Sequence, residues 1–246
     1  PNESVLFNIR GACYADLGQL DIAVKNYEEA ISIKPDYAKA HFNLAGSLHD
    51  LGKLKAAVQS YQKTIEIEPN YAEAHNNLGN VFQELEQGDS AVQSYKRALE
   101  IKPDYVAAQY SLGNAFMELE QLDEAVKAYK AVLKLKPDFA GAYNNLGNVF
   151  KDLEQIDSAV KSYKKALEIK PDYVAAQYSL GIMFQDLGQF EAAIKCYEMV
   201  LAIKPDFEEA HNSLGVAFLN LNQFDEAVKS YKAAIKIKPD FVEAIN

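Results

Sequence analysis

The sequence predicts an all-α chain of stacked helical hairpins, and three observations carry that prediction. All eight prolines fall on one grid, Pro1, Pro35, Pro69, Pro103, Pro137, Pro171, Pro205 and Pro239, with 34 residues from each to the next. Three further columns keep the same period: Leu17, Leu51, Leu85, Leu119, Leu153, Leu187 and Leu221; Ala23 through Ala227; and Tyr27 through Tyr231. Within each unit, apolar residues recur three and four apart with no strand-like alternation. A fixed period in the range of roughly 20–50 residues marks a stacked array. The 246 residues therefore divide into seven units, 4–37, 38–71, 72–105, 106–139, 140–173, 174–207 and 208–241, with the start of a truncated eighth at 242–246.

The third unit shows how each element follows. Ala74, Leu78, Gly79, Phe82 and Leu85 make one face of a first helix that begins at Ala72. After a break at residues 86–88 the pattern resumes with Ala91, Val92, Tyr95, Ala98, Leu99 and Ile101. Asp89, like Asp21, Asp123, Asp157 and Asp225, is expected to cap the second helix. Lys102 suits the negative end of that helix dipole. Pro103 cannot continue the helix, and Asp104 is placed to cap the next one.

Helices of ~13–14 residues are marginal alone in water, and one such hairpin is too small to bury its own apolar face. The hairpins must therefore cover one another, forming one extended core. Six glycines, Gly11, Gly79, Gly113, Gly147, Gly181 and Gly215, with Ala45 in the same column, sit inside first helices. Each costs about 1 kcal/mol there relative to alanine. Their recurrence predicts a close contact that a side chain would obstruct.

Composition narrows the function. The chain is 49% apolar and 24% charged, with a net charge of −10, too apolar for disorder and too charged for a membrane protein. No apolar run approaches the roughly 20 residues of a membrane span, and no signal-type segment opens the sequence, so the cytoplasm is the default expectation. An acidic chain repels a phosphate backbone, which argues against nucleic acid. Cys13 and Cys196 are expected to be separate buried thiols. His41, His75 and His211 share a column, but helices stacked about 8–10 Å apart would hold them too far from one another to share a zinc ion. Packing at the core edge is the reading for these histidines. No nucleophile, base and orienting group recur together, so neither an enzyme nor a cofactor or metal site is expected.

The recurring pattern Leu78-Gly79, Phe82, Ala91, Tyr95, Ala98 and Pro103 resembles that of the tetratricopeptide repeat family over the whole chain. The resemblance implies a right-handed superhelical solenoid of seven helix-turn-helix repeats whose first helices line a concave groove. The family's frequent Trp is replaced by Phe7, His41, His75, Gln109, Tyr143, Gln177 and His211. Carried onto this register, the groove presents Glu73, Asn76, Asn77, Asn80 and Gln83 from the third repeat and Tyr110, Ser111, Asn114 and Met117 from the fourth. The fifth supplies Asn144, Asn145, Asn148 and Lys151, and the sixth Tyr178, Ser179, Ile182 and Gln185. Repeats three and five match at 27 of 34 positions and repeats three and four at only 18, so a 68-residue pair overlies the shorter period.

Asparagine both donates and accepts, so a row of it can pair with a peptide backbone whatever its side chains. The Asn-Leu-Gly-Asn segments at 77–80 and 145–148 resemble the repeat arm of O-linked N-acetylglucosamine transferases, in which an asparagine ladder holds extended protein substrates. Here Ser111, Ser179 and Ser213 interrupt it. An acidic column, Asp16, Asp50, Glu84, Glu118, Asp152 and Asp186, lies one turn further on, while lysines such as Lys96, Lys130 and Lys164 belong to second helices. The family's carboxylate clamp needs a leading lysine where this chain has Asn8, Phe42, Asn76, Tyr110, Asn144, Tyr178 and Asn212.

The expected function is a protein–protein interaction scaffold that holds a segment of a partner in its groove. The alternative is the substrate-recruiting arm of a larger enzyme such as a glycosyltransferase. Self-association through an uncapped end near Tyr231, Ile235 and Ile237 is a third expectation.

Overall fold

The computed structural model describes residues 3–238, and the expected eighth repeat at 242–246 lies outside them. The described residues form fourteen helices: α1 Glu3–Asp16, α2 Leu20–Ile33, α3 Ala38–Asp50, α4 Leu54–Ile67, α5 Ala72–Glu84, α6 Gly88–Ile101, α7 Val106–Glu118, α8 Leu122–Leu135, α9 Ala140–Asp152, α10 Ile156–Ile169, α11 Val174–Asp186, α12 Phe190–Ile203, α13 Glu208–Asn220 and α14 Phe224–Ile237. Odd and even helices pair into seven hairpins, the all-helical solenoid architecture that the 34-residue period predicts.

Each first helix stops at a leucine of the Leu17 column and turns on the residue after it. That residue has positive φ in every repeat: Gly18, Gly52 and Gly188 at about 70°, and Glu86, Glu120, Glu154 and Asn222 near 57°. In the third repeat the Glu86 N–H bonds the Gln83 carbonyl at 2.9 Å, and the Gln87 N–H bonds that of Phe82 at 2.8 Å, closing the helix end. The second helix starts directly afterwards.

The aspartates do not cap as expected. Gln87 holds the N-cap position of α6 with no side-chain bond, and Asp89 lies within the first turn. There it meets the positive end of the helix dipole without capping a backbone N–H. Tyr105, not Asp104, precedes α7 at its N-cap. The aromatic side chain is used for packing, with the Lys102 ammonium 4.9 Å from its ring centre. The same lysine-over-ring contact recurs at Lys34–Tyr37, Lys136–Phe139, Lys170–Tyr173 and Lys204–Phe207.

The chain divides into two compact units, residues 1–128 and 129–246. In the first, Ala23, Tyr27, Leu44, Ala45, Leu48, Ala57, Tyr61, Ala74, Leu78 and Val81 share one core that runs from hairpin to hairpin. In the second, Ala159, Tyr163, Ala166, Ala176, Leu180, Met183 and Cys196 do the same. Neighbouring hairpins thus supply the burial that each lacks alone.

The tyrosine column accounts for the glycines. A Cβ added at Gly79 would lie 2.6 Å from Tyr95 Cε1, and one at Gly147 would lie 2.6 Å from Tyr163 Cε1. A phenol ring rests directly on the first-helix backbone of its own hairpin. Both rings are completely buried.

Two other expectations change. Cys196 is buried, but Cys13 is exposed. Its column is otherwise Ser47, Val81, Ala115, Val149, Met183 and Ala217, all buried, and no hairpin precedes α1 among the described residues to cover it. The column histidines do more than pack at the core edge. His41, His75 and His211 each place Nε2 2.9–3.0 Å from the carbonyl of the proline six residues earlier. They fasten the inter-repeat turn to the helix that follows it. No helix among the described residues is long and apolar enough to cross a membrane.

Candidate functional site

The tyrosines that fill the core end on the polar wall of the first helices. Below its ring, each phenol is apolar packing; at its tip it carries a hydroxyl that needs a partner. The Tyr61 hydroxyl is hydrogen-bonded to Asn77 of the next hairpin, Tyr95 to Ser111, Tyr163 to Ser179 and Tyr197 to Ser213. Asn145 Nδ2 lies 3.4 Å from the Tyr129 hydroxyl. The asparagine and serine positions expected to face a ligand therefore also form the seam between successive hairpins. Burial pushes the Tyr61 and Tyr163 hydroxyls up to about 12 and keeps them protonated at any physiological pH.

The paired asparagines have different environments. Asn76 and Asn144 are each only 5% exposed. Asn76 Nδ2 donates to Asn77 Oδ1 at 3.1 Å, and Asn144 Nδ2 donates to Asn145 Oδ1 at 3.2 Å. The carbonyl oxygens of Asn76, Asn144 and Asn212 have no partner and no access to solvent. Asn76 and Asn144 thus stand behind the wall as supports, while Asn77 and Asn145 are half-buried within it. A primary amide has two N–H groups and two carbonyl lone pairs. With Asn76 on its oxygen and Tyr61 on its nitrogen, Asn77 keeps one of each.

Asn80 and Asn148 lie one turn on. The Tyr95 hydroxyl is 2.8 Å from Asn80 Oδ1, and that of Tyr163 is 2.8 Å from Asn148 Oδ1. Ser111, Asn114 and Ser179 are half-buried on the same helix faces. Tyr178 is less open than a free aromatic anchor would be. Its hydroxyl is 3.1 Å from Ser213 Oγ and its ring centre 5.0 Å from that of Phe207. Tyr110 is likewise half-buried.

The first helices meet in a depression of about 430 Å³ within the first unit, lined by His49, Asn80, Gln83, Glu84, Ser111, Asn114 and Glu118. Residues of α3, α5 and α7 converge there, which shows that the first-helix faces form one continuous polar wall across these hairpins. The acidic column stands along its edge. Asp16, Asp50, Glu84, Glu118, Asp152 and Asp186 are all exposed, each the last residue of its helix. Two cross-repeat bonds tie it down, His49 Nε2 to Glu84 Oε1 at 2.6 Å and Gln83 Nε2 to Glu118 Oε1 at 2.8 Å. The second-helix lysines pack differently: Lys96, Lys130 and Lys164 lie 5.5–5.8 Å from the ring centres of Phe116, Phe150 and Phe184.

Sequence reasoning passed over Asn43, the second-repeat counterpart of Asn77, whose Nδ2 donates to Asn8 Oδ1 at 3.0 Å. The 34-residue column would have found it. Among the described residues no group of histidine, cysteine and carboxylate side chains is arranged to hold a metal ion.

Comparison with known proteins identifies the architecture. No curated protein matches the chain. Among solved structures, the MamA protein superposes with a TM-score of 0.63 at 27% identity, over 70% of this chain and 94% of that one. YrrB, described as a TPR protein with an unusual peptide-binding site, gives 0.64 at 23% identity, over 76% and 97%. Pseudomonas aeruginosa pilF gives 0.72 at 18% identity, over 85% and 95%. A family model described as TPR repeat matches residues 11–52, 46–88, 113–153, 147–188 and 183–222, and one described as Tetratricopeptide repeat matches 72–105 and 208–241. The chain belongs to the tetratricopeptide repeat family.

Proposed function

We propose that the chain is a non-catalytic scaffold that holds an extended segment of a partner protein along its first-helix wall. One observation carries this reading. Asn77 is held from behind by Asn76 and from the side by Tyr61, and keeps one N–H and one lone pair. That pair of groups matches what one peptide unit offers, so the amide can read a backbone without regard to sequence. Holding the amide in place beforehand lowers the ordering cost of binding. Asn145 has the same support from Asn144 and Tyr129 in the second unit. The peptide-binding site described for YrrB is an analogy at the level of the fold.

Replacing Asn77, Asn80, Asn145 and Asn148 with alanine should abolish partner capture in an affinity pull-down and leave the helical circular dichroism intact. Undiminished capture would move the binding surface elsewhere. The buried Asn76 and Asn144 are left unchanged in this test, because altering them would disturb packing as well as recognition.

A second reading makes the same wall the substrate-recruiting arm of a larger enzyme, such as an O-linked N-acetylglucosamine transferase. It is favoured by the spacing of Asn77 with Asn80 and of Asn145 with Asn148. The remainder of the gene decides between the two, since this reading requires an adjoining catalytic domain.

A further inference from the structure

We propose that the wall of hairpins six and seven is an anchoring site for an apolar, leucine-sized side chain of the bound segment, lined by Ile182 of α11 and by Val216 and Leu219 of α13. The inference rests on the reading of the first-helix wall as a protein-binding surface and adds the side-chain chemistry that one part of it selects. Its starting point is a change of residue type within one column. Asn80, Asn114 and Asn148 hold the position in repeats three, four and five, whereas Ile182 and Val216 hold it in repeats six and seven. Three residues after Val216, Leu219 stands where repeats three, five and six have Gln83, Lys151 and Gln185.

The hydrogen bonds show what the change gives up. Asn80 is bonded to the buried Tyr95 hydroxyl and Asn148 to that of Tyr163, each at 2.8 Å. An amide in either orientation is a partner for a hydroxyl, and a branched alkyl group is not. The equally buried Tyr197 is left with Gln185 Oε1 at 3.2 Å and with Ser213 of the next hairpin. Nor does the core take up the replacing side chains completely. Ile182 packs with one side on the cluster around Met183 and Cys196, Val216 is half-buried, and Leu219 is 46% exposed. Removing a partner from a buried hydroxyl and leaving apolar carbon in water both cost stability. A ligand side chain seated on the patch reverses the second cost.

The occupant is the segment that lies on the same wall. α11 touches both α9 and α13, so the patch continues the face that carries Asn145 and Asn148, all within the second unit. An extended chain advances about 3.3 Å per residue and packed helices lie about 8–10 Å apart, so roughly three residues cross each hairpin. A segment whose backbone pairs with Asn145 therefore sets a side chain roughly three to six residues away over Ile182 and Val216. The polar part of the wall reads backbone, and this part reads one apolar residue at a fixed distance from it.

The test needs no natural partner. Acetylated serine nonapeptides with leucine or asparagine at the centre would be titrated into the intact chain. The methyl resonances of Ile182, Val216 and Leu219 report on the patch, and the side-chain amides of Asn145 and Asn148 on the backbone-reading wall. Saturable methyl shifts are expected with the leucine peptide, and binding about tenfold weaker with the asparagine peptide. Ile182→Asn combined with Val216→Asn, which installs the residue of the fifth repeat in both hairpins, should bring the leucine peptide down to the affinity of the asparagine one, with unchanged circular dichroism. If that variant fails to fold, the comparison of the two peptides on the unaltered chain decides alone. Equal binding by the two peptides, no saturable methyl shift with leucine, or leucine binding that survives the double variant would overturn the proposal. Methyl shifts that grow with protein concentration in the absence of peptide would assign the patch to a second copy of the chain and overturn it as well. Amide shifts at Asn145 with both peptides and silent methyls would remove the anchor and leave the backbone-binding wall standing, whereas silence at amides and methyls alike would remove both.

Discussion

Asn80 and Asn148 occupy the same place in two hairpins that match at 27 of 34 positions, and each amide meets a tyrosine hydroxyl at 2.8 Å. Around Asn80 the hydroxyl also meets Gln83 at 2.8 Å; around Asn148 a lysine takes the glutamine's place. The core beneath is the same in both, with a phenol ring seated on a helical glycine. A difference of one side chain at the edge therefore changes the charge and hydrogen bonding of the wall without changing what holds the wall up. In this fold the residues that repeat hold the hairpins together, and those that do not repeat set the character of the wall.

The comparison can be broken most forcefully at the shared core. Gly79→Leu and Gly147→Leu should each destabilise the protein by about 3 kcal/mol, because the first added carbon already overlaps the tyrosine ring and the ring has nowhere to move. Thermal melts should fall together for the two variants; a large difference would show that the two cores are not equivalent.

Tyr95→Phe and Tyr163→Phe should then separate the hairpins. Each leaves buried hydrogen-bonding groups without the phenol, at a cost of about 1–2 kcal/mol. The loss should be larger for Tyr95→Phe, whose hydroxyl meets both Asn80 and Gln83, than for Tyr163→Phe, whose hydroxyl meets Asn148.

Alkaline pH probes the whole column. Burial raises the Tyr61 and Tyr163 hydroxyls to about 12 from 10.0. Below pH ~10 neither folded nor unfolded tyrosine is ionised, and this part of the stability is fully present. Between pH ~10 and ~12 the unfolded chain sheds protons that the folded one retains, so stability must fall as pH rises through that range. The phenolate absorbance of the buried column should appear together with loss of helix, as a second rise beyond that of the other tyrosines.

The smallest effect belongs to the turns. Glu86, Glu120 and Glu154 have the backbone conformation that glycine takes in repeats one, two and six. Replacing any one of them with glycine should stabilise by a few tenths to about 1 kcal/mol, the relief of a left-handed residue less the entropy glycine adds to the unfolded chain. Equilibrium denaturant unfolding checks the sign.

Much of this molecule was readable from spacing alone. Proline, leucine and tyrosine columns located fourteen helices, because helix ends and hairpin contacts recur where the residues that cause them recur. The caps were misread because aspartate is a strong cap in isolation, whereas here the αL turn brings the chain into α6 at Gly88, one residue before Asp89. The tyrosines were assigned to the core from their period, which is correct for the ring and silent about the hydroxyl. That the tip emerges beside Asn77 or Ser111 depends on how two hairpins pack, information no single repeat contains. For the same reason the burial of Asn76 and Asn144 could not be inferred from a polar residue on a helix face that looks open. Cys13 shows the converse: its column is a core column, and only the absence of a preceding hairpin among the described residues exposes it.

The bond from each tyrosine to the following hairpin gives the array a unit of growth. Between residues 72 and 207 each block of 68 residues carries one asparagine position and one serine position at this seam, so inserting or deleting such a block joins ends that already fit. An array assembled this way can be lengthened by gene duplication, each new pair of hairpins arriving with its anchoring already in place.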